Sequence, residues 1–91
     1  MTYRILYPNS YVKRAKKFLI KYPEIHSQYE KTLELLEINP QHPLLRLNGL
    51  RGRLEVLSSV SINISYRIVL ELIIHDGDII LIDVGNHDQV Y

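Results

Sequence analysis

The stretch that decides the fold is residues 61–91, which read SINISYRIVLELIIHDGDIILIDVGNHDQVY. Across Ile62–Ile74 every second residue is apolar, which is the period of a strand with one buried face. Asp76-Gly77 then supplies a tight turn, because glycine adopts positive φ without steric cost. A second strand, rich in β-branched residues, spans Ile79–Val84, and Gly85 ends it. These residues predict an antiparallel hairpin.

The polar side of this hairpin carries groups that suit catalysis. Arg67 lies between the apolar positions of the first strand. If the extended conformation continues past Gly85, Asp83 and His87 share one side of the second strand and lie near the strand that carries Arg67. A cation, a carboxylate and an imidazole on one open face form a candidate site.

The composition is that of a small folded protein. The 91 residues suffice for one modest core, so we expect a single domain over residues 1–91. The chain has no cysteine, which excludes disulfides and thiolate metal sites. No apolar run reaches membrane-spanning length, and the N-terminus lacks the apolar core of a secretion signal. We therefore expect a cytoplasmic protein with no membrane partner.

Charge is unevenly distributed along the chain, although the formal net charge is only +1. Residues 1–21 hold six of the eleven Lys and Arg and no acid, while residues 71–91 hold five acids and no Lys or Arg. A basic end favours contact with polyanions. The alternative is a cationic helix face that is merely solvated.

The N-terminal third predicts a strand and a helix. The strand covers Thr2–Tyr7 and is followed by a helix over Tyr11–Tyr22, which Asn9 or Ser10 is expected to cap. The positions of this helix expected to face the core are Tyr11, Ala15, Phe18 and Tyr22, with Val12 and Leu19 alongside.

A second helix and two further segments complete the predicted fold. Pro23 fits the first turn of this helix, and Asn39-Pro40 stops it. The segment Gln41–Arg53 has no clear period and is predicted to be a loop, with at most a turn of helix, before a strand from about Leu54 to Val60. The result is an α+β fold of order β-α-α-β-β-β, with a helix hairpin on one face of a twisted, mostly antiparallel sheet. The expected core positions of the second helix are Ile25, Tyr29, Leu33 and Leu36.

Four short motifs follow one another along this framework. They are His42-Pro43-Leu44, Leu47-Asn48-Gly49-Leu50, Tyr66-Arg67-Ile68 and the closing GNHDQVY of residues 85–91. Their order and spacing resemble the RelE/ParE superfamily of toxins, and within it the RelE/YafQ-like branch. The resemblance covers nearly the whole chain and implies the RelE-like fold.

The resemblance also implies a function. It implies the toxin of a type II toxin–antitoxin system, restrained by a cognate antitoxin in a hetero-oligomer that binds operator DNA through the antitoxin. Members of the RelE branch enter the ribosomal A site and cleave mRNA there. A ribose 2′-hydroxyl attacks the adjacent phosphate and leaves a 2′,3′-cyclic phosphate. This chemistry needs a base, an acid and positive charge on the transition state, and it requires no metal or other cofactor.

Two alternatives share the same fold. Members of the ParE branch act on DNA gyrase. The other alternative is a catalytically inactive chain that is retained for antitoxin binding. Fold alone does not separate the three.

Four residues match positions that carry the activity of YafQ-like toxins. His87 is expected to be the general acid and Arg67 to stabilise the phosphate. Tyr91, the closing aromatic, is expected to stack on a base, and His42 is expected to lie at the active site.

Each of these residues also has a purely structural interpretation. His87 could be a strand-end histidine bonded to Asp83 or Asp88, the two carboxylates expected to support it. Arg67 could pair with Glu71 or Asp83 within the sheet. The tyrosine could pack against the sheet, and the loop histidine could be exposed and idle.

Basic residues elsewhere are expected to bind RNA phosphates, the alternative being a solvated surface. In one place the chain departs from the family pattern, because Ser58–Asn63 carries no charge where relatives have a charged residue. The missing cation is replaced only if Arg51 or Arg53 supplies it from the loop. Otherwise catalysis is slower, differently organised or absent. The residues expected to bind phosphate are Arg46, Arg51, Arg53, Lys13, Lys16 and Lys17.

Overall fold

The computed structural model describes residues 3–49, 57–73 and 76–86, in which two helices pack on a five-stranded sheet. No helix in these ranges is long and apolar enough to cross a membrane. The strands are β1 (Arg4–Leu6), β2 (Asn48–Gly49), β3 (Ser58–Ser61), β4 (Tyr66–Ile73) and β5 (Asp78–Asn86), and the helices are α1 (Asn9–Lys21) and α2 (His26–Ile38).

The sheet has the strand order β1-β5-β4-β3-β2. β1 runs parallel to β5, and the other three pairs are antiparallel. The parallel pair requires a long crossover, which the two helices and the following meander provide. The predicted α+β fold, with a helix pair on a mostly antiparallel sheet, is therefore confirmed.

Helix α1 begins at Asn9, two residues before its predicted start at Tyr11. Neither Asn9 nor Ser10 caps it, because both already lie within the helix and no side chain bonds the first turn. The preceding residue, Pro8, is extended, and its carbonyl accepts from the N–H of Val12 at 3.0 Å. The expected core stripe is confirmed for Tyr11, Ala15 and Phe18, all of which are buried.

Helix α2 is entered through a short 3-10 turn, Pro23–Ile25, so the prediction that Pro23 opens the second helix is confirmed. Asn39 ends the helix, with its N–H bonded to the carbonyl of Leu35. Tyr29 is buried, and its hydroxyl lies 2.7 Å from that of Tyr11. This bond joins the two helices at their interface.

The predicted strand over Ile62–Ile74 is wrong in its first part. β3 continues to Ser61, residues 62–65 form a turn, and β4 starts only at Tyr66. Asn63 makes the turn, because its Oδ1 accepts from the N–H groups of Ser65 and Tyr66 at 2.8 and 3.0 Å. Ile64, an expected core position, is consequently 95% exposed. A side chain that bonds its own backbone two and three residues on overrides the alternating pattern.

The turn of helix allowed for in the predicted loop Gln41–Arg53 is present, but a short strand in this segment was not predicted. Residues 41–49 contain a 3-10 turn, Pro43–Leu45, and then the two-residue strand β2, which pairs with β3. A strand of Asn48-Gly49 is too short to show any alternation. β5 continues through Gly85 to Asn86, the last described residue, so Gly85 does not end it. The strand predicted from about Leu54 to Val60 corresponds to β3, and its predicted first residues, 54–56, lie outside the described residues.

The two faces of the sheet differ in what covers them. Ile68 and Leu70 of β4 are fully buried against the helices, together with Tyr11 and Leu36. Because side chains alternate along a strand, Arg67 and Val69 point to the opposite face. There Val69 packs with Leu57 and Ile82. We call this second side of the sheet the open face.

Candidate functional site

Arg67 is held at the start of β4 by oxygen atoms from two neighbouring segments. Its Nε donates to Oγ of Ser59 at 3.0 Å, and its Nη2 donates to the backbone carbonyl of Arg46 at 2.8 Å. A longer contact of 3.5 Å joins Nη2 to the carbonyl of Ser59. These neutral oxygens fix the plane of the guanidinium.

Ser59 is the buried anchor of this arrangement. It lies on β3 opposite Val69 and has no exposed surface. A buried hydroxyl needs a hydrogen-bond partner, and the Nε–H of Arg67 supplies one. Ser59 therefore links the position of Arg67 to the interior of the sheet. Sequence reasoning missed this residue, because a single serine in a strand forms no motif.

The carbonyl that bonds Arg67 is aimed by the 3-10 turn before it. Leu45 is 1% exposed and anchors the turn in the core. Arg46 ends the turn in the left-handed region, at φ 49° and ψ 51°, and is the sole non-glycine residue with positive φ among the residues described. This conformation costs an L-residue on the order of 1 kcal/mol. The strain places the Arg46 carbonyl on the guanidinium of Arg67, at the edge of the open face.

His42 lies at the other end of the same turn and caps it. Its Nδ1 accepts from the N–H of Leu44 at 3.1 Å, and the ring is half-buried. An accepting Nδ1 places the proton of the neutral ring on Nε2. In this tautomer His42 could donate a hydrogen bond from Nε2 to a ligand. Two of the predicted site residues, His42 and Arg46, therefore flank this 3-10 turn, and the carbonyl of Arg46 bonds Arg67.

The polar side chains of the uncharged stretch Ser58–Asn63 form hydrogen bonds within the fold. Besides Ser59, Ser61 donates from Oγ to the carbonyl of Asn63 at 2.7 Å, and Asn63 donates from Nδ2 to Oε1 of Gln28 on α2 at 3.1 Å. These bonds fix the turn that precedes Arg67. A cavity of about 220 Å³ lies beside it and is lined by residues that include Arg46, Ser61 and Asn63. Arg46 is therefore a cation beside the stretch that lacks one.

Asp83 lies on the strand beside the one that carries Arg67, as the alternation predicts, and the register pairs it with Val69. Asp83 is opposite Val69, but Leu70 is opposite Leu81, so β5 has one extra residue, Ile82, at this point. This bulge was not predicted from the sequence. The carboxylate of Asp83 lies 4.0 Å from Nη1 of Arg14 on α1, a contact that the sequence analysis did not anticipate.

The remaining predicted groups of the catalytic set lie outside the described residues. They are His87, Asp88 and Tyr91, together with Arg51 and Arg53 of the phosphate-binding set. Asn86 is opposite Tyr66 and Gly85 is opposite Arg67, so the described part of β5 ends beside the start of β4.

Helix α1 presents the other basic surface. Lys13, Lys16 and Lys17 are exposed. Arg14, on the same helix, donates from Nη1 to the carbonyl of Ile82 at 3.1 Å. A groove of about 310 Å³ runs between α1 and the end of β5.

Comparisons with solved structures identify the fold. The chain superposes on YafQ from E. coli strain BL21(DE3) with a TM-score of 0.76 at 15% identity, covering 98% of both chains. The E. coli DinJ–YafQ toxin–antitoxin complex gives a TM-score of 0.77 at 16% identity, over 100% of this chain and 99% of the other. The RelBE2 toxin–antitoxin complex from Mycobacterium tuberculosis gives 0.63 at 15% identity, over 96% and 100%.

No family model matches the sequence, and no curated protein matches it. At these identities the structural likeness establishes the fold, which is that of the RelE/YafQ-like toxins. The resemblance predicted from the four motifs is confirmed at that level.

Proposed function

We propose that this chain is the toxin of a type II toxin–antitoxin system and acts as a ribosome-dependent mRNA endonuclease. The observation that carries the proposal is the fixed guanidinium of Arg67, held by Ser59 and Arg46 on the open face of a RelE/YafQ-like sheet. Cleavage by a ribose 2′-hydroxyl gathers negative charge on the phosphate oxygens. A cation that is oriented before the reaction stabilises that charge without reorganisation.

The proposed roles divide the chemistry between charge and proton transfer. Arg67 binds the phosphate under attack, and Arg46 adds a second positive charge from the edge of the cavity of about 220 Å³. His87 protonates the departing 5′-oxygen, and Tyr91 stacks on a base of the codon. His42, with its Nδ1 bonded to the backbone, donates a hydrogen bond from Nε2 to the RNA. No metal or other cofactor takes part.

Binding to the ribosome is assigned to the helix surface. The exposed cations Lys13, Lys16 and Lys17 contact RNA phosphates, so affinity should fall as the salt concentration rises. Two of the structures that share this fold are toxin–antitoxin complexes, which supports a cognate antitoxin as the partner that restrains the chain in the cytoplasm. The complex would bind operator DNA through the antitoxin.

The test is induction of the chain in a bacterium, followed by primer extension on a translated reporter mRNA. We expect cuts at fixed codon positions that disappear when translation of the reporter is blocked. His87→Ala and Arg67→Ala should each abolish the cuts, while Lys31→Ala, an exposed cation on α2, should leave them unchanged. Immunoblots and circular dichroism of each purified variant establish that it is present and folded.

Two results would contradict the proposal. Growth arrest with DNA damage and no mRNA cuts would assign the chain to gyrase inhibition. Neither arrest nor cuts, with folded protein present, would assign it to antitoxin binding without catalysis.

A further inference from the structure

Two exposed apolar side chains lie in the two turns next to Arg67. Ile64, in the turn between β3 and β4, is 95% exposed, and Leu44, in the 3-10 turn after His42, is 68% exposed. Neither belongs to the hydrophobic core. Tight turns are normally occupied by small or polar residues, so the turn itself does not account for a β-branched isoleucine. Both turns therefore present apolar surface that the fold does not use.

These two side chains belong to one cavity. Leu44 and Ile64 line a space of about 220 Å³ together with Ile62, which is partly buried and packs against the core. Pockets for drug-sized ligands begin at about 300 Å³, so this smaller space suits a single flat ring system. Aliphatic side chains on either side of such a ring can contact its two faces.

The polar side chains in the lining are already used within the fold. Oδ1 and Nδ2 of Asn63 bond the turn and Gln28, and the hydroxyl of Ser61 donates to the carbonyl of Asn63. They therefore offer little to the polar edge of a ring. Among the described residues that line the cavity, Arg46 alone carries a charge. The cavity thus combines apolar contact with attraction for an anion.

The cavity also lies next to the guanidinium that is assigned to phosphate. Ser61, in its lining, is opposite Arg67 in the pairing of β3 with β4, so the two side chains share the open face. Arg46, also in its lining, bonds Nη2 of Arg67 through its carbonyl at 2.8 Å. A ligand with its phosphate on Arg67 can therefore place an attached group in the cavity. A flat ring that is attached to a phosphate is the chemistry of a nucleotide.

We propose that Leu44 and Ile64 hold one unpaired nucleobase of a nucleotide whose phosphate binds Arg67. The faces of the base are apolar, so the base gains free energy by leaving water for the space between two aliphatic side chains. We call these two residues the base clamp. Because the clamp contacts faces rather than edges, it adds affinity for single-stranded RNA without selecting one base. That the nucleotide belongs to mRNA rests on the proposed function.

The probe for this site is adenosine 5′-monophosphate, which carries one base and one phosphate. In NMR titrations of the isotope-labelled chain, we expect saturable shifts at the methyl groups of Leu44 and Ile64 and at the Nε–H of Arg67. Ribose 5-phosphate keeps the phosphate but lacks the base. It should shift Arg67 without the methyl groups and bind at least about 5-fold more weakly, because no apolar surface is buried.

Matched variants test whether the apolar side chain holds the base. Ile64→Ser replaces a side chain that is 95% exposed, so the melting temperature should change little. It should weaken binding of adenosine 5′-monophosphate at least about 5-fold and leave binding of ribose 5-phosphate unchanged. Ile20→Ser is the control, because Ile20 is also highly exposed, at 80%, but lies on α1. It should leave binding of both compounds unchanged.

Three results would overturn the proposal. They are equal binding of the two phosphates, equal losses in Ile64→Ser and Ile20→Ser, and no methyl shifts at millimolar concentrations of the nucleotide. Tighter binding of N-acetyl-leucine amide at the same methyl groups would also overturn it and assign this apolar surface to a protein partner.

The titration contains no ribosome, so it is independent of mRNA cleavage. A chain that binds the nucleotide through the base clamp but cuts no mRNA would keep the clamp and lose the proposed enzyme activity. A chain that cuts mRNA but binds the two phosphates equally would keep the activity and lose the clamp.

Discussion

The two faces of the sheet use neighbouring residues of one strand for different purposes. On the covered face, Ile68 is fully buried against the helices. On the open face, Arg67 is bonded to Ser59 and Arg46 and remains half-buried. Truncating a buried aliphatic side chain costs about 2–5 kcal/mol of folding free energy, whereas a partly exposed polar contact costs far less. Folding and the proposed catalysis should therefore respond to different substitutions.

The largest effect should come from Arg67→Lys. Lysine keeps the positive charge but lacks the planar guanidinium. A guanidinium can bond Ser59 and Arg46 and contact a phosphate at the same time, and an ammonium group cannot do both in this geometry. We expect the rate of mRNA cleavage on purified, programmed ribosomes to fall about 100-fold. The melting temperature should change by only a few degrees, because no buried apolar group is removed.

The same substitution at Arg4 provides the control. Arg4 donates from Nε and Nη2 to the two carboxylate oxygens of Asp78, at 3.0 and 3.1 Å, at the far end of β5. Arg4→Lys should lower the melting temperature slightly and leave cleavage intact. Equal loss of cleavage in both variants would show that Arg67 acts only through folding.

Ser59→Ala should have the next largest effect. It removes the acceptor that holds Nε of Arg67, and we expect cleavage to slow about 10-fold through the rate constant rather than through ribosome affinity. Ser59→Thr retains the hydroxyl and should recover most of the rate. The measurement is single-turnover cleavage at saturating ribosome concentration. Failure of Ser59→Thr to exceed Ser59→Ala, with both folded, would contradict a positioning role.

The sequence predicts the covered face better than the open one. The helical stripe of Tyr11, Ala15 and Phe18 repeats often enough to be recognised, and burial follows from it. The strand pattern of Ile62–Ile74 was misleading, because one residue, Asn63, bonds its own backbone and turns the chain there. The alternation of apolar and polar residues does not reveal a local hydrogen bond of this kind.

The site was predicted in part, for a similar reason. The motifs identified Arg67, and the 3-10 turn of His42 and Arg46 leads to it. The bulge at Ile82 and the contact between Asp83 and Arg14 were not predicted, since a one-residue bulge leaves no pattern in the sequence. Ser59 was missed because its role depends on a cross-strand neighbour eight residues away.

A smaller effect, confined to the covered face, is expected from Tyr29→Phe. The variant loses the 2.7 Å bond to the hydroxyl of Tyr11, which should lower the free energy of unfolding by about 1 kcal/mol without changing cleavage. Burial raises the pKa of both Tyr11 and Tyr29 above the ordinary value of 10.0. The folded chain therefore retains these protons where the unfolded chain releases them. Their contribution to stability is complete below pH 10 and declines as the pH rises further.

Urea titrations at several alkaline pH values measure this decline. It should be shallower in Tyr29→Phe than in the parent chain, because one of the two phenols is absent. A slope that does not change would mean that other groups control alkaline unfolding. A loss of mRNA cleavage at neutral pH would contradict the separation of the two faces.

The smallest effect should come from Arg46→Gly, and its two parts should have opposite signs. Glycine adopts the left-handed conformation of this position freely, so the substitution relieves the strain of the folded chain. The greater freedom of the unfolded chain offsets part of this gain. The free energy of unfolding should therefore rise by about 0.5 kcal/mol. The carbonyl that bonds Arg67 is kept, but the cation beside the cavity is lost, and cleavage should fall about 3-fold. Arg46→Asn, which also tolerates this conformation, should behave similarly. A more stable chain with undiminished cleavage would assign Arg46 to the backbone bond alone. Reduced cleavage together with increased stability would mean that Arg46 lowers the stability of the folded chain but is needed on the open face for its positive charge.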